Sequence, residues 1–153
     1  MATSRTAGRE YTVVGWCTNR SLLADQEALK KVLRNICEHI DMRPLEEMGV
    51  DVERQIEKLG LEKFHDEGGS TASLILSTSH ASIHGWPWRD ESRSDGAMFW
   101  CTVGSCRDFE PIRVDEILHE HLGVTYASRY ENVPLLPERE GPKFTDALDR
   151  AMQ

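Results

Sequence analysis

The stretch Ser77-Thr78-Ser79-His80-Ala81-Ser82-Ile83-His84-Gly85-Trp86-Pro87-Trp88 decides how the rest of the chain is read. Successive side chains of an extended strand point to opposite faces, so Ser82, His84 and Trp86 share one face. Ser79 and His80 are adjacent, are expected on opposite faces, and make a poor nucleophile–base pair. An ordinary half-buried strand sets β-branched residues against charges. Here hydroxyls and imidazoles stand where charges would.

Working outward, Ala72–Leu76 is a short apolar run that suits a buried strand, preceded by a Glu67-Gly68-Gly69-Ser70 turn signal. Ser82–Trp86 suits a second strand. Arg89–Gly96 reads as a polar hairpin connection and Ala97–Val103 as a third strand. Upstream, Tyr11–Trp16 is rich in β-formers, and Leu22, Leu29, Val32, Leu33, Ile36 and Ile40 fall on one face of a helix over 22–40. Val52, Ile56 and Leu59 suggest a short amphipathic helix stopped at Gly60. Downstream, Val114, Ile117, Leu118 and Leu122 have helical spacing ahead of Gly123, and Val124–Ser128 reads as a last strand. The tail from Val133 carries prolines and is expected to wrap the surface.

Hairpin strands next to helices predict an α+β fold. The expected form is a two-layer sandwich, a mainly antiparallel sheet with helices on one face. The uncovered sheet face needs a partner, and a second copy of the chain is the simplest one, giving a homodimer. The length of 153 residues predicts a single domain over 1–153.

Composition narrows the function classes. A formal net charge of −8 argues against nucleic-acid binding, which needs clustered Lys and Arg, and is compatible with a cationic ligand. No stretch approaches the roughly 20 apolar residues of a membrane-spanning helix, and the N-terminus lacks an apolar signal core. A cytoplasmic location follows as the expectation, with Cys17, Cys37, Cys101 and Cys106 reduced.

The residue types of the central strands leave several chemistries open. Cys101 lies on the strand expected beside Ser82–Trp86, so Ser, His and Cys could cluster as nucleophile and base, as metal ligands, or as polar core residues satisfied by hydrogen bonds. Cys101-x4-Cys106 and His119-x-His121 match neither the paired-cysteine nor the finger spacing, so no metal is expected. A serine hydrolase would want a G-x-S-x-G elbow, which Thr78-Ser79-His80 does not provide.

Ser79-His-Ala-Ser-Ile-His-Gly-Trp-Pro87 resembles the S-H-x-[ST]-I-H-x-[WF]-P core of prokaryotic S-adenosylmethionine decarboxylases. Gly69-Ser70-Thr71 matches the Gly-x-[ST] that precedes that core, and Phe99-Trp100-Cys101 matches an apolar strand ending in Phe-x-Cys. Gly8-Arg9-Glu10-Tyr11 is similar to the family's N-terminal strand. The similarity spans about 8–128 and is dense between 69 and 101.

The resemblance implies a proenzyme. The Ser79 hydroxyl attacks the carbonyl of Thr78, the amide becomes an ester, and elimination and hydrolysis leave a pyruvoyl group. The products are a β chain, 1–78, and an α chain that begins at the former Ser79 and runs to 153. A substrate amine condenses with the pyruvoyl ketone as a Schiff base, and carbon dioxide leaves. By the same resemblance Cys101 returns the proton, His84 assists processing, and Thr71 holds the processing intermediate, with Ser70 as its fallback. Phe64 is the expected adenine-stacking residue of the substrate site. The substrate implied is S-adenosylmethionine, serving spermidine synthesis. L-Ornithine or L-arginine on the same scaffold is the second reading, and an unprocessed binding or regulatory homologue the third. The chain departs from the family in four places. Thr78 replaces the usual Glu before the serine, Trp88 replaces an acidic residue, and the 41–66 and 89–96 segments are longer.

Overall fold

The computed structural model describes residues 6–61, 68–136 and 150–151. Strand β1 (Arg9–Cys17) is followed by helices α1 (Arg20–Leu23) and α2 (Gln26–His39) and by strand β2 (Pro44–Asp51). Next come helix α3 (Val52–Lys58) and strands β3 (Ser70–Leu76), β4 (Ser79–Trp86) and β5 (Ala97–Ser105). Helix α4 (Pro111–Leu122) and strand β6 (Val124–Asn132) complete the order. The strands form one six-stranded antiparallel sheet ordered β2-β3-β4-β5-β1-β6.

The α+β sandwich expected from the pattern is the architecture found. On one face Val13, Ala72, Leu74, Ala81, Ile83, Phe99 and Val103 are buried with α2 and α4 in a common core. α2 contributes Leu29, Val32, Leu33 and Ile36, the stripe read from the sequence. α4 begins with Pro111, whose missing N–H costs nothing in the first turn, and ends at Gly123 in the left-handed region. The other sheet face carries Thr71, Ser82, His84, Trp86 and Trp100, and there Trp100 is 53% exposed, Tyr126 67% and Tyr130 62%. Among the described residues no helix is long and apolar enough to cross a membrane.

Three elements differ from the periodicity. The helix over 22–40 is two, because the Asp25 carboxylate accepts from the N–H groups of Glu27 and Ala28 and starts a new helix. Residues 44–51 form an edge strand that no alternation announces, since Leu45 and Met48 lie exposed and its partner is fixed by backbone pairing with β3. β6 runs on to Asn132 because its ladder with β1 continues to Glu10.

Candidate active site

The reactive end is built at the β3–β4 hairpin. Leu76 pairs with Ser79, so Ser77 and Thr78 form a two-residue turn. Hairpins this tight favour turns with positive φ at the central residues. Neither Ser77 nor Thr78 takes a positive φ, and β-branched Thr78 is the residue type that resists it most. The irregularity falls on the next residue, and Ser79 has φ 154°. Strain of this kind costs on the order of 1–3 kcal/mol and collects at functional positions.

That backbone angle overturns the expectation that His80 turns away from Ser79. Alternation holds in a regular strand, and Ser79 is not regular. Its Oγ lies 3.0 Å from Nδ1 of His80. Thr78 is held at both polar ends: its hydroxyl donates to Met42 Sδ at 3.0 Å, and its carbonyl oxygen accepts from the backbone N–H of Cys106 at 2.8 Å. Ser105 stands opposite Ser79 in the ladder, with Cys106 just past the strand end. A cleft of about 210 Å³ opens here, lined by Gly8, Glu10, Thr78, Ser79, His80 and Cys106. Gly8 is required for that approach, because a Cβ there would sit 2.0 Å from the Ser105 carbonyl oxygen.

A second polar cluster sits on the open face. Thr71 and His84 are register partners, and the Thr71 hydroxyl shares a short hydrogen bond with His84 Nδ1. The His84 and Trp86 rings meet edge to face with centroids 4.2 Å apart. Trp100 lies across from His84 on β5. His84 is five positions along β4 from Ser79, roughly 16 Å at the rise of an extended strand. Within one chain the Thr71–His84 pair does not reach the Ser79 hydroxyl.

Cys101 is not brought to Ser79 either. It pairs with Ile83, faces α2, and is 1% exposed. Burial pushes its thiol up to about 12, with Cys37 and Asp115 adding to the shift. Cys101 stands four positions before Ser105, the ladder partner of Ser79. Cys106 is the exposed cysteine beside the Thr78–Ser79 bond. A signal for it exists in Ser105-Cys106, which closes the strand ahead of the Pro111 helix start. Its use depends on the β4–β5 register. Phe64 lies outside the described residues. His121, weighed as a metal ligand, has its Nε2 2.9 Å from Asn35 Nδ2, and among the described residues no three His, Cys, Asp or Glu side chains converge on a metal position.

The arrangement offers a strained serine, a nitrogen base on its hydroxyl, a hydrogen-bonded carbonyl and a free thiol, all at one strand end. No curated protein is significantly similar to the chain in sequence. The crystal structure of the adenosylmethionine decarboxylase from Aquifex aeolicus VF5 matches in fold, with a TM-score of 0.63 at 15% identity, covering 92% of this chain and 100% of that one. A family model described as S-adenosylmethionine decarboxylase matches residues 9–132. Through that match over most of its length, the chain belongs to the S-adenosylmethionine decarboxylase family of pyruvoyl-dependent lyases.

Proposed function

We propose that the chain is a proenzyme that cuts itself between Thr78 and Ser79 and then decarboxylates S-adenosylmethionine from the new α-chain end. The observation that carries this reading is the state of the scissile bond. Ser79 is strained and exposed, and the carbonyl before it accepts a hydrogen bond from Cys106. That donor stabilises negative charge on the carbonyl oxygen as the hydroxyl attacks, the role of an oxyanion hole. The residues fit a pyruvoyl group, because the Ser79 hydroxyl oxygen can attack the carbonyl of the preceding Thr78 and later leave by elimination. The group supplies a ketone electrophile that accepts the electrons released with carbon dioxide.

Cys106 is the proton donor of the decarboxylation in this reading, because it borders the same cleft as Ser79 while Cys101 is sealed under the sheet. The Thr71–His84 pair acts from a second copy. The open face carries exposed Trp100, Tyr126 and Tyr130, and a copy packed on it brings an imidazole to a serine that the same chain's His84 does not reach. The active unit is then a homodimer of processed chains. A cytoplasmic location, with free Cys17, Cys37, Cys101 and Cys106, accords with this chemistry.

The direct test is the intact mass of freshly purified protein. The expected result is two chains, 1–78 and a 79–153 chain bearing a ketone that hydrazine traps. A single full-length chain that decarboxylates S-adenosylmethionine would overturn the reading.

A further inference from the structure

We propose that His80 is the catalytic base of the self-cleavage step. The inference rests on the proposal that the Thr78–Ser79 bond is the one cut. His80 Nδ1 stands 3.0 Å from Ser79 Oγ, within reach for direct proton transfer. No other described nitrogen base is hydrogen-bonded to that hydroxyl.

The ring is held there by the strand beside it. His80 pairs in register with Gly104 of β5, and Gly104 with Glu10 of β1, so the three positions form one row across the sheet. A Cβ at Gly104 would lie 2.9 Å from His80 Cε1 and 3.4 Å from Nδ1. The imidazole therefore rests against the bare backbone of Gly104, in space that any side chain would fill. Glu10 lines the same cleft at the far end of the row.

One histidine suffices for both proton movements. In the tautomer protonated on Nε2, Nδ1 takes the proton from Ser79 Oγ as the bond from Oγ to the Thr78 carbonyl carbon forms. The Thr78 oxyanion is held by the Cys106 N–H. The Thr78–Ser79 carbon–nitrogen bond then breaks, and the proton on Nδ1 passes to the departing Ser79 nitrogen. An amide has become an ester and a free amine, His80 is neutral again, and no outside reactant is consumed. His84 is left for the later elimination, so the two histidines of the strand divide the work.

The experiment follows the full-length chain after rapid cell-free synthesis, reading the fraction cut on a denaturing gel and by mass. His80→Ala is expected to slow cutting 10²-fold or more, with partial recovery in added imidazole. His80→Gln keeps a hydrogen-bonding side chain without a basic nitrogen and is expected to stay slow. Gly104→Ala keeps the imidazole but displaces it, and is expected to slow cutting as well. His80 is exposed, so these chains fold, and far-UV circular dichroism checks it. Cutting of His80→Ala at the wild-type rate, while Ser79→Ala stays whole, overturns this inference and leaves the self-cleavage reading standing. A wild-type chain that is never cut overturns both.

Discussion

The backbone N–H of Cys106 donates to the carbonyl oxygen of Thr78 at 2.8 Å, tying the end of β5 to the bond before Ser79. One residue thus has two separable parts at the site. In the proposed reaction its main chain polarises the carbonyl under attack, and its thiol borders the cleft that holds Ser79. A side-chain substitution removes only the second.

Cys106→Ala is therefore expected to be cut as the wild type is, but to lose turnover of S-adenosylmethionine by about 10²-fold, the worth of one positioned proton donor. Cys101→Ala should keep both cutting and turnover, and cost about 1–2 kcal/mol in urea unfolding for the packing it loses. Normal turnover in Cys106→Ala, with turnover lost in Cys101→Ala, would return the donor role to Cys101.

Thr78→Gly lets the two-residue turn take the positive φ that the hairpin wants, and Ser79 can relax into the strand. About 1–2 kcal/mol of strain is lost from the bond to be broken, so cutting is expected to slow by roughly 5–30-fold. A time course of precursor loss measures this, and a faster Thr78→Gly would mean that the threonine hinders the attack instead.

The open-face pairing predicts complementation between chains. Alone, Ser79→Ala is not cut and His84→Ala stalls during processing. Expressed together, they form mixed dimers in which the Ser79→Ala chain lends its His84 to the intact serine of the other. Mature α chain is expected from the His84→Ala chain alone. Its absence from mixed dimers verified by mass would show that His84 serves its own chain. Trp100→Glu should shift the molar mass by light scattering toward that of one copy.

Asp51 links the reactive hairpin to α2. Burial alone would raise its carboxyl, but hydrogen bonds from the Ser70 hydroxyl at 2.6 Å and from Gln26 outweigh that and hold it below its ordinary value. A carboxyl lowered in the folded state stabilises above the unfolded value, near pH 4, and that contribution is lost as pH falls through the folded one. Ser70 is fully buried, so Asp51→Ala leaves its hydroxyl unpaired and should cost about 1–3 kcal/mol at pH 7. The gap to wild type in urea unfolding should narrow by pH 3. A gap independent of pH would assign the loss to packing.

Much of the fold could be read directly. The α2 stripe from Leu29 to Ile36 and the α4 stripe ending at Gly123 follow from helical periodicity, and β3, β4 and β5 from runs bounded by turns. β2 escaped because an edge strand with Leu45 and Met48 exposed has no alternation to betray it. The site was less legible. Thr71 and His84, each expected to serve processing, share a hydrogen bond. Cys101 lies away from Ser79 along β5, and His80 turns toward the Ser79 hydroxyl where strand alternation predicts the opposite direction.

What the chain alone determined is where the chemistry sits: a serine flanked by threonine and histidine at the mouth of a hairpin, inside an antiparallel sheet backed by helices. That much follows from residue types and local periodicity, which act over a few positions. Which cysteine meets the serine, and which histidine touches it, only the tertiary structure decided. Register between β4 and β5 depends on how the loop from Pro87 to Gly96 closes, and Ser79 owes its orientation to a turn conformation that Ser77 and Thr78 do not adopt. A shift of one residue turns every side chain of a strand to the opposite face, so a site assembled across strands is settled by pairing and not by spacing.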